Sequence, residues 1–172
     1  MQVTFWIADR LLKSIRAVVA AMVVVFFSYM TIAVLAQVFG RYIFNYSIAG
    51  ASETATFAQI WMVFLAAGLA MREKLHVGVD ILYAVLPRLL QRVVAVLILV
   101  AGVWFLWLAF TGSWRLIQVG MMQTSPALQM PMWLAYLSLP VGISYFALEF
   151  CISYIRKIWA PVDASEVEET EK

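Results

Sequence analysis

Charge is scarce in this 172-residue chain. Lys, Arg, Asp and Glu make up 13% of it, against 65% apolar residues, whereas a soluble domain is roughly a quarter charged. Water cannot be the solvent for most of such a surface. Histidine and cysteine occur once each, as His76 and Cys151. A lone cysteine excludes an intramolecular disulfide, and a lone histidine excludes a haem held by two histidines of this chain. No Ser–His–acid set, pair of redox thiols or glycine-rich phosphate loop can be assembled from these residues. Neither catalysis nor a cofactor is expected, and no nucleic-acid partner.

What is present is apolar sequence in long blocks. Residues 17–40, 54–71, 93–114 and 130–148 contain no Lys, Arg, Asp or Glu. Each is close to or above the roughly 17–25 residues that a spanning helix needs. Polar backbone groups in hydrocarbon must be satisfied internally, which leaves helices or closed barrels. Barrel strands alternate in polarity over about ten residues, and these blocks do not. The expected fold is an all-α membrane protein with four transmembrane helices, over residues 15–39, 53–71, 87–117 and 131–155. The third, at about 1.5 Å per residue, would be on the order of 46 Å long, so it must tilt or project beyond a core of roughly 30 Å. The first block is too long for the h-region of a signal peptide, about 7–15 residues, and reads as an uncleaved helix.

The basic residues set the expected orientation, because Lys and Arg accumulate on the cytoplasmic side. Arg10, Lys13 and Arg16 precede the first helix. Arg72, Lys74, Arg88 and Arg92 surround the middle connection, and Arg156, Lys157 and Lys172 follow the fourth helix. Only Arg41 and Arg115 lie by the other two connections. Both termini are therefore expected in the cytoplasm, and in a bacterium the first and third connections face the periplasm. Tyr42, Phe44, Trp114, Trp133, Tyr154 and Trp159 fall at helix ends, where interfacial aromatics belong. Between helices two and three, Val77, Ile81, Val85 and Leu89 recur every four residues. That stripe, flanked by charge, suggests an amphipathic helix lying in the interface. Residues 161–172, with five acids against one Lys, read as a disordered cytoplasmic tail.

Few residues offer chemistry. Arg41 and Glu53 flank the first connection at similar depth, as a docking or gating contact or as a clamp between helices one and two. Glu53 also suits the start of its helix electrostatically. His76 and Asp80 share one face of any helix there; they suit a proton relay or an interfacial hydrogen bond, and no second His or Cys completes a metal site with them. Glu149 is the acid that approaches membrane depth, a functional candidate by default, unless it meets a basic residue at the cytoplasmic edge. Gln37 and Gln59 look like polar glue between helices, and Ala66, Ala67, Gly68 and Ala70 permit close helix approach. Gln123, Ser125 and Pro126 belong to a polar third connection open to a partner.

These motifs together resemble a known family. The run Phe39-Gly40-Arg41-Tyr42-Ile43-Phe44-Asn45-Tyr46-Ser47 is followed by Glu53, Trp61, Phe64-Leu65, Ala70-Met71-Arg72 and His76-Val77-x-Val79-Asp80. Later come Gln123-x-Ser125-Pro126-Ala127-Leu128-x-Met130-Pro131-x-Trp133-x-x-Tyr136 and Pro140-Val141-Gly142. The set is similar to the small permease subunit, DctQ-like, of tripartite ATP-independent periplasmic (TRAP) transporters, over about residues 10–157. The chain departs from the family's habits at Gly50, often Trp, and at Ser52, often a second acid. The resemblance implies three parts in a bacterial inner membrane. A periplasmic binding protein captures an organic anion, often a carboxylate or sialic acid. A large multi-spanning subunit carries it with sodium. The small subunit anchors and widens the large one and offers part of the docking surface. By this analogy Arg41, Glu53, Trp61, His76 and Asp80 carry a structural or partner role and bind neither solute nor sodium. The rival readings are an autonomous homo-oligomeric carrier, which would want a central acid in helix one, and a cofactor-bearing membrane enzyme subunit.

Overall fold

In the computed structural model, residues 2–46, 50–72 and 87–159 are described. They form α1 (Gln2–Ile43), α2 (Ala51–Arg72), α3 (Arg88–Met121), a single turn α4 (Trp133–Tyr136) and α5 (Ser138–Trp159). Among the described residues, four stretches are long and apolar enough to cross a bilayer: Arg10–Ile43, Ala51–Met71, Leu89–Met121 and Trp133–Arg156. The residues expected to form an interfacial helix, with His76 and Asp80, and the acidic tail lie outside the described residues.

α1 is longer than the sequence suggests. At 42 residues it extends about 63 Å, twice the thickness of a hydrocarbon core. Asn45 ends it with a left-handed φ of 53°, and the Gly40 carbonyl accepts the N–H groups of Phe44 and Tyr46. The expected fourth helix, residues 131–155, divides in two at Leu137. Pro140 has no N–H to return to the preceding turn. The carbonyls near the joint are met by side chains instead: Ser138 Oγ donates to Ala135 at 2.6 Å, and Trp61 Nε1 donates to Leu134 at 3.1 Å.

The helices form an open layer rather than a closed bundle. α2 packs between α1 and α5, and α3 packs on α4 and α5. Burial follows: 28% of the most apolar stretch of α2 and 39% of that of the α4–α5 span are buried, against 6% for α1 and for α3. Val19 of α1, Leu65 of α2 and Tyr145 of α5 meet at the core. Most of α1 and α3 presents Val, Leu, Ile and aromatic side chains outward, including Trp104, Phe105 and Trp107. Such residues suit lipid or an apolar partner.

Glycine sets the spacing of the inner helices. A Cβ on Gly142 would sit 2.9 Å from the Phe64 carbonyl oxygen and 2.5 Å from its Cβ. A Cβ on Gly68 would strike the Tyr145 ring, and one on Gly120 would lie 2.9 Å from the Trp133 nitrogen. Because the Gly142 neighbour is main chain, nothing there can rotate aside. Gly142→Val should separate α2 from α5 and lower stability by about 1–3 kcal/mol. Thermal unfolding of the purified chain in detergent would measure it; an unchanged midpoint would contradict the close approach.

Candidate functional site

Polar groups gather at two ends of the layer. At the end carrying residues 44–46, Gly50 and the α3–α4 connection, the chain after Met121 reverses in a tight loop. Thr124 and Pro131 face each other in an antiparallel bridge. Ser125 N–H donates to the Met130 carbonyl at 2.8 Å, and Met130 N–H donates to Ser125 Oγ at 3.2 Å. Gln129 takes a left-handed φ of 54° to let the loop close. Ser125 is fully buried inside this ring. The backbone of Gln123 frames it, accepting the Met132 N–H at 3.0 Å, while the Gln123 side chain is exposed.

The loop's reversal aims two N–H groups back at α2. Glu53, in the first turn of α2, accepts Leu128 N–H at 2.8 Å and Ala127 N–H at 3.4 Å. Leu128 seats over Gly50, where a Cβ would lie 2.7 Å from the Leu128 methyl. Pro126 borders a cleft of about 360 Å³ with Ser52, Glu53, Thr56, Phe57 and Met132. Deeper in the layer, Trp61 holds the α4–α5 joint by its indole N–H and lies 6.2 Å from the Phe26 ring of α1. Glu53, Trp61, Ser125 and Pro126 thus belong to one construction that ties the loop and α4 to α2.

Arg41 stands apart from it. The Arg is exposed at the end of α1, and among the described residues it forms no ion pair with Glu53. The clamp expected between the two is replaced by one from Glu53 to the loop backbone. The reason is geometric: main-chain N–H groups with few remaining acceptors lie directly above the carboxylate, whereas a guanidinium at the water-facing end of α1 is solvated where it stands.

At the opposite end, Glu149 of α5 meets Arg16 of α1. Arg16 Nε donates to Glu149 Oε1 at 2.7 Å and Arg16 Nη2 donates to Oε2 at 2.8 Å, a two-pronged contact. The side chains are 2% exposed for Glu149 and 14% for Arg16. The sequence singled out Glu149 and left its partner open. The signal was available: Arg16 is the innermost base ahead of the first apolar block. Choosing it required knowing that α1 and α5 meet. Gln37 and Gln59 show the opposite outcome. Among the described residues neither hydrogen-bonds another helix of this chain, and Gln59 faces outward. No group of three or more His, Cys, Asp or Glu able to hold a metal occurs among the described residues.

Comparison with known proteins adds a family. The profile described as "Tripartite ATP-independent periplasmic transporters, DctQ component" matches residues 30–161. The isethionate TRAP transporter permease protein DctMQ of Oleidesulfovibrio alaskensis is 36% identical over 117 residues, 62% of this chain and 18% of that protein. The C4-dicarboxylate TRAP transporter small permease protein DctQ of Vibrio cholerae is 33% identical over 90 residues, 52% of this chain and 39% of that protein. A protein described as a TRAP transporter small permease from Haemophilus influenzae is 31% identical over 109 residues, 63% of this chain and 68% of that protein. The first two matches therefore span well under half of each relative's length.

Both polar ends give measurable expectations. Glu149→Leu removes both carboxylate acceptors of this largely buried pair and should cost about 3–5 kcal/mol, whereas Arg16→Met with Glu149→Leu should cost far less than either single change. A double-mutant cycle of unfolding in detergent would read this coupling; additive losses would mean that the pair is not closed. At the loop end, Glu53→Ala should speed hydrogen exchange at Leu128 about tenfold, the equivalent of one hydrogen bond to a charged group. Unchanged exchange at Leu128 would show that the carboxylate does not hold the loop.

Proposed function

Because this chain belongs to the DctQ-component family of tripartite ATP-independent periplasmic transporters, we propose that it braces and anchors the large membrane subunit of such a transporter while leaving solute passage to that partner. The observation that carries this reading is the state of the one buried acid among the described residues. Glu149 is closed on Arg16 by both oxygens, so it is not held open toward a path across the membrane. An ion-coupled carrier needs polar groups facing such a path. The outward surfaces of α1 and α3 are apolar instead and suit contact with lipid and with another spanning protein.

The fused relative supports a one-to-one pairing. The chain matches only 18% of a permease whose printed name, DctMQ, joins two parts. In this reading the remainder of that relative corresponds to a separate large subunit here. The transporter takes up an organic anion, a carboxylate or sialic acid, coupled to sodium; relatives are named for C4-dicarboxylate and isethionate, both small anions. The placement of ten of the 12 basic residues supports the termini and residues 73–86 on the cytoplasmic side of a bacterial inner membrane. The loop fixed by Glu53, with Gln123, Ser125 and Pro126, then faces the periplasm beside Arg41 and offers part of the docking surface for the substrate-binding protein. Trp61 keeps α4 seated beneath it. His76 and Asp80 contribute to the large-subunit contact on the cytoplasmic side.

Co-expression with the large subunit and detergent pull-down on this chain should recover both proteins, and vesicles holding this chain alone should show no solute flux. Flux from the chain alone would favour a homo-oligomeric carrier. Arg41→Ala should reduce assembly or uptake and leave the order of preferred solutes unchanged; an altered order would place the residue in a substrate path.

A further inference from the structure

α2 turns one continuous stripe away from the rest of the chain. Ser52, Thr56, Gln59, Val63 and Ala67 are its exposed positions, spaced three and four apart along one face. The stripe is not lipid-like along its whole length. Gln59 lies eight residues after Ala51, about 12 Å along the helix and near the middle of the span Ala51–Met71. Its amide carries two donors and an acceptor. Among the described residues it makes no hydrogen bond, and it faces outward. Hydrocarbon offers no substitute partner at that depth.

The surroundings have the shape of a seat. Toward the loop end, the cleft of about 360 Å³ beside Ser52, Thr56 and Pro126 continues the stripe. Toward the other end, a groove of about 570 Å³ opens between α1 and α2, walled by Val23 and Phe27 and floored by Val63, Ala66 and Ala70. The Thr56 hydroxyl donates to the Ser52 carbonyl, which leaves its lone pairs outward. The trough is therefore apolar along its flanks and polar at one depth. Lipid tails match the first property and not the second.

We infer that this face of α2 receives a spanning helix of the large subunit, one that turns a Ser, Thr, Asn or Gln side chain toward Gln59 at mid-membrane. The inference rests on the bracing role proposed above and assigns it a surface. A second copy of this chain is the competing occupant. One-to-one pairing with a large subunit leaves the heteromeric contact as the constant one.

The test uses the co-expressed complex. Gln59→Leu replaces the amide by an apolar side chain one atom shorter and removes its donors and acceptor. Recovery of the large subunit should fall about threefold to tenfold, the effect of one hydrogen bond between helices. The thermal midpoint of the isolated chain should not drop, because Gln59 is exposed and makes no hydrogen bond among its described residues. Ser144→Ala, on the outward face of α5, serves as the control and should leave recovery unchanged. A photoactivatable benzoylphenylalanine in place of Val63 should give an adduct of this chain with the large subunit. Full recovery with Gln59→Leu, loss with Ser144→Ala alone, an adduct of two copies of this chain, or no protein adduct would each overturn the assignment. If the unaltered chain recovers no larger protein, the bracing role fails as well, so the two ideas are separable.

Discussion

Inside hydrocarbon a polar group must find its partner within protein, and this constraint orders the whole structure. Two hydroxyls on α1 and α3 comply locally: Thr31 donates to Phe27 and Thr111 to Trp107, each a turn back along its own helix. Trp61 complies across helices, spending its indole N–H on a carbonyl that the Leu137 break leaves open. Arg16 and Glu149 comply by closing on each other. The desolvation of such a pair is so costly that it contributes little net stability, but breaking it by halves is worse than never having it. Its effect is therefore on arrangement: α1 can meet α5 in one register and not in another.

The same constraint explains what could be read from residues alone. Four spans are legible because charge is excluded from hydrocarbon whatever the tertiary arrangement. Glu149 is legible as an anomaly for that reason. Its partner is not, since three bases precede the first span and only the packing of α1 beside α5 selects Arg16. Glu53 misleads in an instructive way. A sequence displays charged side chains and hides oriented backbone N–H groups, so Arg41 looked like the natural partner. The groups that reach the carboxylate belong to Ala127 and Leu128, aimed there by a loop whose closure depends on a positive φ at Gln129. The break at Leu137 is not legible in the residues, which read as one helix over 131–155, and its repair by Trp61 and Ser138 is visible only in three dimensions.

An open layer suits the bracing role proposed above. A closed four-helix bundle satisfies its own packing and offers a convex surface. Here α1 and α3 are edges, each with one neighbouring side and a broad apolar remainder. The loop end is rigid where the layer itself is open: Ser125 is locked in a hydrogen-bonded ring, and Glu53 fastens that ring to α2. Rigidity at the exposed end and open apolar flanks along the membrane divide two kinds of contact, one polar and directional, the other broad and shape-based.

The glycine contacts at positions 68, 120 and 142 carry a mechanical corollary. Side-chain packing has slack, since rotamers swing and methyl groups shift when heat or a thinner bilayer loosens them. A spacing determined by bare main chain, as where Gly142 abuts Phe64, has no comparable give. The inner pair of helices behaves like rails of fixed gauge, and a moving neighbour that pushes on one of them displaces both as a single body.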